Sequence, residues 1–161
     1  KAVMWKAGHS LIKAKMRELG AVLAGEVSGH LCFNDRYFGF DDGIYASCRL
    51  LEVLARTGQT IPQLLEDVPR TFVTPEIRVG CPDEIKFQLV EKVRDHLRRA
   101  GHSIIHVDGV RICLADGWGL LRASNTQPAL VLRFEARTRQ RLDEVRGLVE
   151  QVLEISRKEI V

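Results

Sequence analysis

The chain has 161 residues, room for one large domain or two small ones. Its composition, 45% hydrophobic and 28% charged, excludes a disordered chain, and no apolar run is long enough to span a bilayer. A net charge of +3 suits an anionic small molecule and lacks the concentrated basic stripe of a nucleic-acid binder, so neither membrane nor nucleic acid is expected as a partner.

Cys32, Cys48, Cys81 and Cys113 contain no Cys-x-x-Cys pair, which leaves zinc and thioredoxin-like chemistry without support. Four buried free thiols in a cytoplasmic protein are expected instead. The chain opens on an apolar run at Lys1 and reads as a piece of a longer protein.

Taken in order, Ala2–Trp5 reads as a short strand and Lys6–His9 as a loop. Ser10 can cap a helix with Leu11, Ile12, Met16 and Leu19 on its apolar side, ended by Gly20. Ala21–Ala24 is a second buried strand. Leu31–Phe33 and Arg36–Phe38 read as a hairpin around Asn34-Asp35. Asp41 or Asp42 caps a helix whose Ile44, Cys48, Leu51 and Leu54 or Ala55 recur at helical spacing up to Gly58. This part is too thin to be a complete layered domain. Thr57–Pro69, with Gly58 and two prolines, reads as a connection with a domain boundary close to Pro69, dividing the chain into 1–69 and 70–161.

Beyond the boundary, Thr71–Val79 alternates like a strand, and Asp83 caps a helix with Ile85, Leu89, Val90, Val93 and Leu97 inward. Ser103–His106 and Val110–Leu114 form a hairpin around Asp108-Gly109, read as a two-residue turn. Trp118–Arg122 and Ala129–Ala136 are strands, and Thr138 starts a last helix with Leu142, Val145, Leu148, Val149 and Val152 inward. Strands grouped between two helices predict an α+β domain, its antiparallel sheet covered on one face by helices.

Two stretches carry chemistry. The loop Arg122-Ala123-Ser124-Asn125-Thr126-Gln127-Pro128 lies between strands and offers a guanidinium fork, two hydroxyls and an amide, with no carboxylate between Leu120 and Phe134. Such a loop suits a phosphate, although Ser, Asn and Thr also make ordinary polar turns. In Gly25-Glu26-Val27-Ser28-Gly29-His30, Glu26, Ser28 and His30 alternate, so on an extended segment they share a face. A carboxylate, a hydroxyl and an imidazole together can read a sugar diol; a structural Glu beside a surface His is the plainer alternative. His9 sits in a glycine-containing loop. His102 and His106 fall on a strand and read as structural. Arg94, Arg98, Arg99, Arg137, Arg139 and Arg141 read as solvated helix surface.

Gly25–His30, Phe38-Gly39-Phe40-Asp41-Asp42-Gly43-Ile44-Tyr45 and Arg122–Thr126 running to Arg133-Phe134-Glu135-Ala136 occur in the order of the α-D-phosphohexomutase family, which the chain resembles along nearly its whole length. The resemblance is to the bacterial phosphomannomutase/phosphoglucomutase branch. It implies the end of that family's third domain, a partial three-layer α/β domain, followed by the whole fourth, a TATA-box-binding-protein-like α+β domain. The reaction it implies moves phosphate between the 1- and 6-positions of glucose or mannose through a phosphoserine and a glucose or mannose 1,6-bisphosphate. The resemblance gives Glu26 and Ser28 to the sugar 3- and 4-hydroxyls, and His30 and His9 to acid/base work. It gives Arg122, Ser124, Asn125, Thr126 and Arg133 to the phosphate that is not being transferred. The catalytic serine and the Mg²⁺ ligands would lie in N-terminal domains this chain does not contain. A fragment of that kind would be inactive alone, and a non-catalytic phosphosugar-binding module is the alternative.

Overall fold

In the computed structural model, which describes residues 1–160, the chain divides into two compact units, Lys1–Val68 and Pro69–Val161.

The first unit starts with α1 (His9–Leu19), followed by β1 (Leu23–Gly25), β2 (Leu31–Phe33), α2 (Gly43–Thr57) and the short α3 (Ile61–Leu64). Helix α1 ends at Gly20, but Ser10 is not its cap: Gly8 holds that position, and Ser10 lies inside the helix. β1 and β2 pair antiparallel, with Gly25 opposite Leu31. The expected pairing of Leu31–Phe33 with Arg36–Phe38 is absent: β1 lies on one edge of β2, and Cys32 bridges to Asp41 instead. Residues 34–40 instead form a turn, closed by the Gly39 amide donating to Phe33 O at 2.8 Å.

Aromatic packing shapes that turn, with Tyr37 stacked on Tyr45 of α2 at 3.9 Å between ring centres. Arg36 and Arg49 pair with Glu52 and Asp35, tying the turn to the helix. Asp42, rather than Asp41, caps α2 by accepting the Tyr45 amide. The expected strand at Ala2–Trp5 is not formed. The helical stripe of α2 is present but uncovered: Ile44 is 81% and Leu51 63% exposed. Only Met16 and Cys32 are buried hydrophobics in this unit. Cys48 is exposed and Cys113 half-buried, so the expectation of four buried thiols holds for Cys32 and Cys81 alone.

The second unit comprises β3 (Phe72–Val73), β4 (Ile77–Gly80), α4 (Asp83–Arg99), β5 (Ser103–Ile105), β6 (Val110–Leu114), β7 (Gly117–Ala123), β8 (Ala129–Ala136) and α5 (Arg139–Lys158). An antiparallel sheet runs β3-β8-β7-β6-β5, with β4 also on β8. The single strand expected over Thr71–Val79 is broken at Thr74-Pro75, because proline has no amide for the ladder. Thr74 repairs the gap: its amide donates to Phe134 O and its hydroxyl accepts the Phe134 amide, both at 3.0 Å. Asp83 begins α4, but Pro82 occupies the cap position. Thr138 caps α5 as its sequence predicts.

Asp108-Gly109 is not a two-residue turn. Ile105 pairs with Arg111, which leaves a longer loop. Gly109 has φ +78°, and a Cβ there would lie 2.3 Å from Leu121 O. Only glycine lets that loop close against β7.

The core lies between the sheet and the two helices: Leu89, Val93 and Leu97 of α4 and Leu142, Val145 and Val149 of α5 meet Ile112, Leu121, Leu132 and Phe134. Alternation along β7 and β8 sends Leu121, Ala123, Leu130, Leu132 and Phe134 to this side. Arg122 and Arg133 therefore belong to the opposite face of the sheet.

Candidate functional site

In the first unit, the residues Gly25–His30 are a closed hairpin loop, not the extended segment expected. The Glu26 amide donates to His30 O at 2.9 Å and the Gly29 amide to Glu26 O at 3.0 Å. The loop nevertheless gathers the expected side chains. Glu26 Oε2 accepts the Ser28 hydroxyl at 3.1 Å, and Oε1 accepts the Gly8 amide at 2.5 Å. Because Gly8 precedes α1, Glu26 satisfies one of that helix's unpaired amides, where the helix dipole favours a carboxylate. This contact also fixes the start of α1, where His9 lies: its ring centre is 5.9 Å from that of His30.

Asp41 holds His30. One carboxylate oxygen lies 2.5 Å from Nδ1, and the other accepts the Leu31 amide at 3.1 Å. An ionised carboxylate only accepts, so Nδ1 carries the proton and Nε2 is left to exchange protons or hydrogen-bond. The Asp41 hydrogen bond and charge, with Glu26 adding, raise the His30 pKa above its ordinary 6.5. His30 in turn lowers that of Asp41. The cluster can bind hydroxyls and hold a proton near them.

In the second unit, β7 and β8 present the 122–128 loop. The Ser124 amide donates to Ala129 O at 2.9 Å, closing the hairpin. Ser124 is buried, and its Oγ accepts the Thr126 and Gln127 amides at 3.4 and 3.2 Å. That hydroxyl thus shapes the loop from within, whereas Asn125 and Thr126 are exposed. Arg122 pairs in register with Val131, and Leu120 with Arg133, so the two arginines sit diagonally on neighbouring strands. At that spacing long side chains can reach one ligand.

Lys86 of α4 reaches the same loop from behind. It is 4% exposed, and its Nζ donates to Ser124 O at 2.5 Å and Gln127 O at 3.1 Å and pairs with Asp83 at 2.7 Å. Arg78 of β4 bonds the Gln127 side chain.

Sequence reasoning missed Asp41 and Lys86. Asp41 was legible as the spare of two possible caps. Lys86 shares the inward spacing of Leu89, Val93 and Leu97, three, seven and eleven positions on, which marks it as facing the core. His106 is tied to Glu91 at 2.9 Å on the surface of the second unit. Among the described residues, no three His, Cys, Asp or Glu side chains gather as metal ligands. No helix of the described residues is long and apolar enough to cross a membrane.

Comparison with known proteins decides the family. Residues 1–72 match the alpha/beta/alpha domain III of phosphoglucomutase/phosphomannomutase, and residues 76–152 match its C-terminal domain. The chain belongs to the phosphoglucomutase/phosphomannomutase family.

It is 48% identical over 146 residues to a phosphomannomutase/phosphoglucomutase of Pseudomonas syringae pv. tomato, covering 91% of this chain and 31% of that protein. A phosphoglucomutase of Neisseria gonorrhoeae is 43% identical over 155 residues, 95% of this chain and 34% of that protein. The crystal structure of a phosphoglucomutase/phosphomannomutase family protein from Burkholderia thailandensis superposes with a TM-score of 0.84 at 43% identity, over 96% of this chain and 32% of that one. The chain thus spans about a third of the length of these relatives.

Proposed function

We propose that this chain is the substrate-recognition part of a phosphohexomutase, the end of its third domain and the whole of its fourth. The parent enzyme interconverts the 1-phospho and 6-phospho forms of glucose and mannose through a phosphoserine and a bisphosphorylated sugar. Glu26 and Ser28 bind the sugar 3- and 4-hydroxyls. Glu26 is already hydrogen-bonded through both oxygens, but a carboxylate has about four acceptor sites and can take sugar hydroxyls as well. Glucose and mannose share those two hydroxyls, so one reader serves both.

His30, protonated on Nδ1 by its contact with Asp41, exchanges a proton with the reacting hydroxyl through Nε2, and His9 lies beside it. Arg122 and Arg133 grip the phosphate that stays, with Asn125, Thr126 and the loop shaped by Ser124 completing the cradle. The serine and the Mg²⁺ ligands belong to parts of the parent outside this chain. Mg²⁺ would supply charge neutralisation at the phosphate being transferred. The second domain takes the TATA-box-binding-protein-like arrangement, and the location is cytoplasmic.

The observation that carries this reading is Arg122 and Arg133 lying diagonally on one sheet face beside a loop with no carboxylate of its own. The test is titration of the isotope-labelled 161-residue chain with glucose 1-phosphate. Shifts at residues 122–128 are expected, lost in Arg122→Ala, without turnover of the sugar phosphate. In the intact parent, Arg122→Ala should cost about 1.5–3 kcal/mol in kcat/KM. Loop signals that ignore the ligand would refute the phosphate role, and mutase activity in the 161-residue chain would refute the division of labour.

A further inference from the structure

We infer that Lys86 is a positioning residue for the phosphate loop: its buried ammonium fixes the carbonyls of Ser124 and Gln127, so that the loop stands ready for a phosphate. The inference rests on the phosphate reading of Arg122–Pro128.

Three observations lead to it. Lys86 is 4% exposed, and a lysine is almost never buried without partners. Two of its three oxygen partners are the backbone carbonyls of Ser124 and Gln127, which flank the exposed Asn125 and Thr126, and the third, Asp83, lies on the same helix. The Ser124 hydroxyl holds the Thr126 and Gln127 amides of that same stretch. Carbonyls are thus drawn down to the ammonium, while Asn125 and Thr126 remain exposed beyond them.

Electrostatics gives the arrangement its sense. A dianion brought to this loop meets the negative ends of its carbonyl dipoles unless something turns or neutralises them. A cation on the far side does both. Asp83 offsets part of that charge, but its side chain is largely exposed and solvent-screened, whereas Lys86 is desolvated. Lys86 does not touch the phosphate; it acts through the loop.

Lys86→Met keeps the volume and removes the charge and its donors. The carbonyls of Ser124 and Gln127 lose their donor in this variant, and dispersed Leu89 and Leu132 amide signals would verify that the fold is kept. In the 161-residue chain, the Thr126 and Gln127 amides should exchange with solvent about tenfold faster in Lys86→Met, and inorganic phosphate and glucose 1-phosphate should bind about tenfold more weakly.

A second measurement needs no variant at Lys86. The Lys86 ammonium resonance of the wild type should shift on saturation with phosphate and stay fixed in Arg122→Ala, a response a purely structural lysine would not give. Unchanged loop exchange and affinity in a folded Lys86→Met chain, or an ammonium signal that ignores phosphate while the loop amides respond, would overturn the role of Lys86 alone. A wild-type loop that ignores phosphate altogether would overturn the phosphate reading and this inference with it.

Discussion

At the scale of single residues, the contact that most constrains the chemistry is Asp41 on His30. The groups around the His30 imidazole are Asp41, Glu26 and His9, and the Asp41 hydrogen bond and charge, with Glu26 adding, outweigh desolvation, so the pKa is raised. Asp41→Asn should bring the His30 midpoint, followed by NMR, down toward its ordinary 6.5 and mix its two neutral tautomers. An unmoved midpoint would show that the pair does not hold in solution. The sign for stability follows from the same shift. A histidine whose folded pKa is raised adds stability fully present below about pH 6.5 and lost as pH rises through the raised value. Asp41, lowered, adds stability that is lost as pH falls through its own folded value. The pair therefore supports the first unit best on the acid side of neutrality, above the carboxylate range. In the intact parent, Glu26→Gln should weaken glucose and mannose substrates alike, measured as kcat/KM. A large loss confined to one sugar would contradict a reader shared between them.

Among the elements, the instructive failures are the breaks in strands. Residues 71–79 alternate as one strand, but Pro75 denies the ladder an amide, and Thr74 substitutes its hydroxyl as the acceptor for the Phe134 amide. Thr74→Val would leave that buried amide unsatisfied and should destabilise the second unit by about 1–3 kcal/mol in denaturant unfolding. Gly109→Ala, strained by a positive φ and by the Leu121 carbonyl, should cost a similar amount, about 1–3 kcal/mol. The four long helices were legible because the 3.6-residue period is local, though of the expected caps only Thr138 and Asp42 hold their places; the single-turn α3 is too short to show a period. The β7–loop–β8 hairpin was legible because its polar stretch separates two long apolar ones. The Arg36–Phe38 turn was not, since aromatic residues favour strands and contacts with Asp42, Tyr45 and Glu52 hold the segment in a turn instead. Lys86 was obscured by residue type: lysine on a helix ordinarily faces water.

For the molecule as a whole, the two units differ in how completely they bury themselves. The second has a continuous core from sheet to helices, while the first leaves Val27, Phe38, Ile44 and Leu51 more than 60% exposed. Hydrogen exchange of the 161-residue chain should therefore show strong protection at Leu89–Leu97 and Leu130–Phe134 and weak protection through residues 1–68, and heating should melt the two units in separate steps. A single cooperative transition would show that the first unit borrows stability in a way its own core does not supply. One small contact carries a larger consequence. The carboxylate of Glu26 completes the first turn of α1 through the Gly8 amide and is also the atom pair proposed for the sugar. A ligand competing for Oε1 loosens the start of α1, and one content with the remaining lone pairs leaves it intact. The exchange rate of the Gly8 amide tells the two cases apart: faster exchange on sugar binding marks competition for Oε1, and unchanged exchange marks a sugar held by the remaining lone pairs.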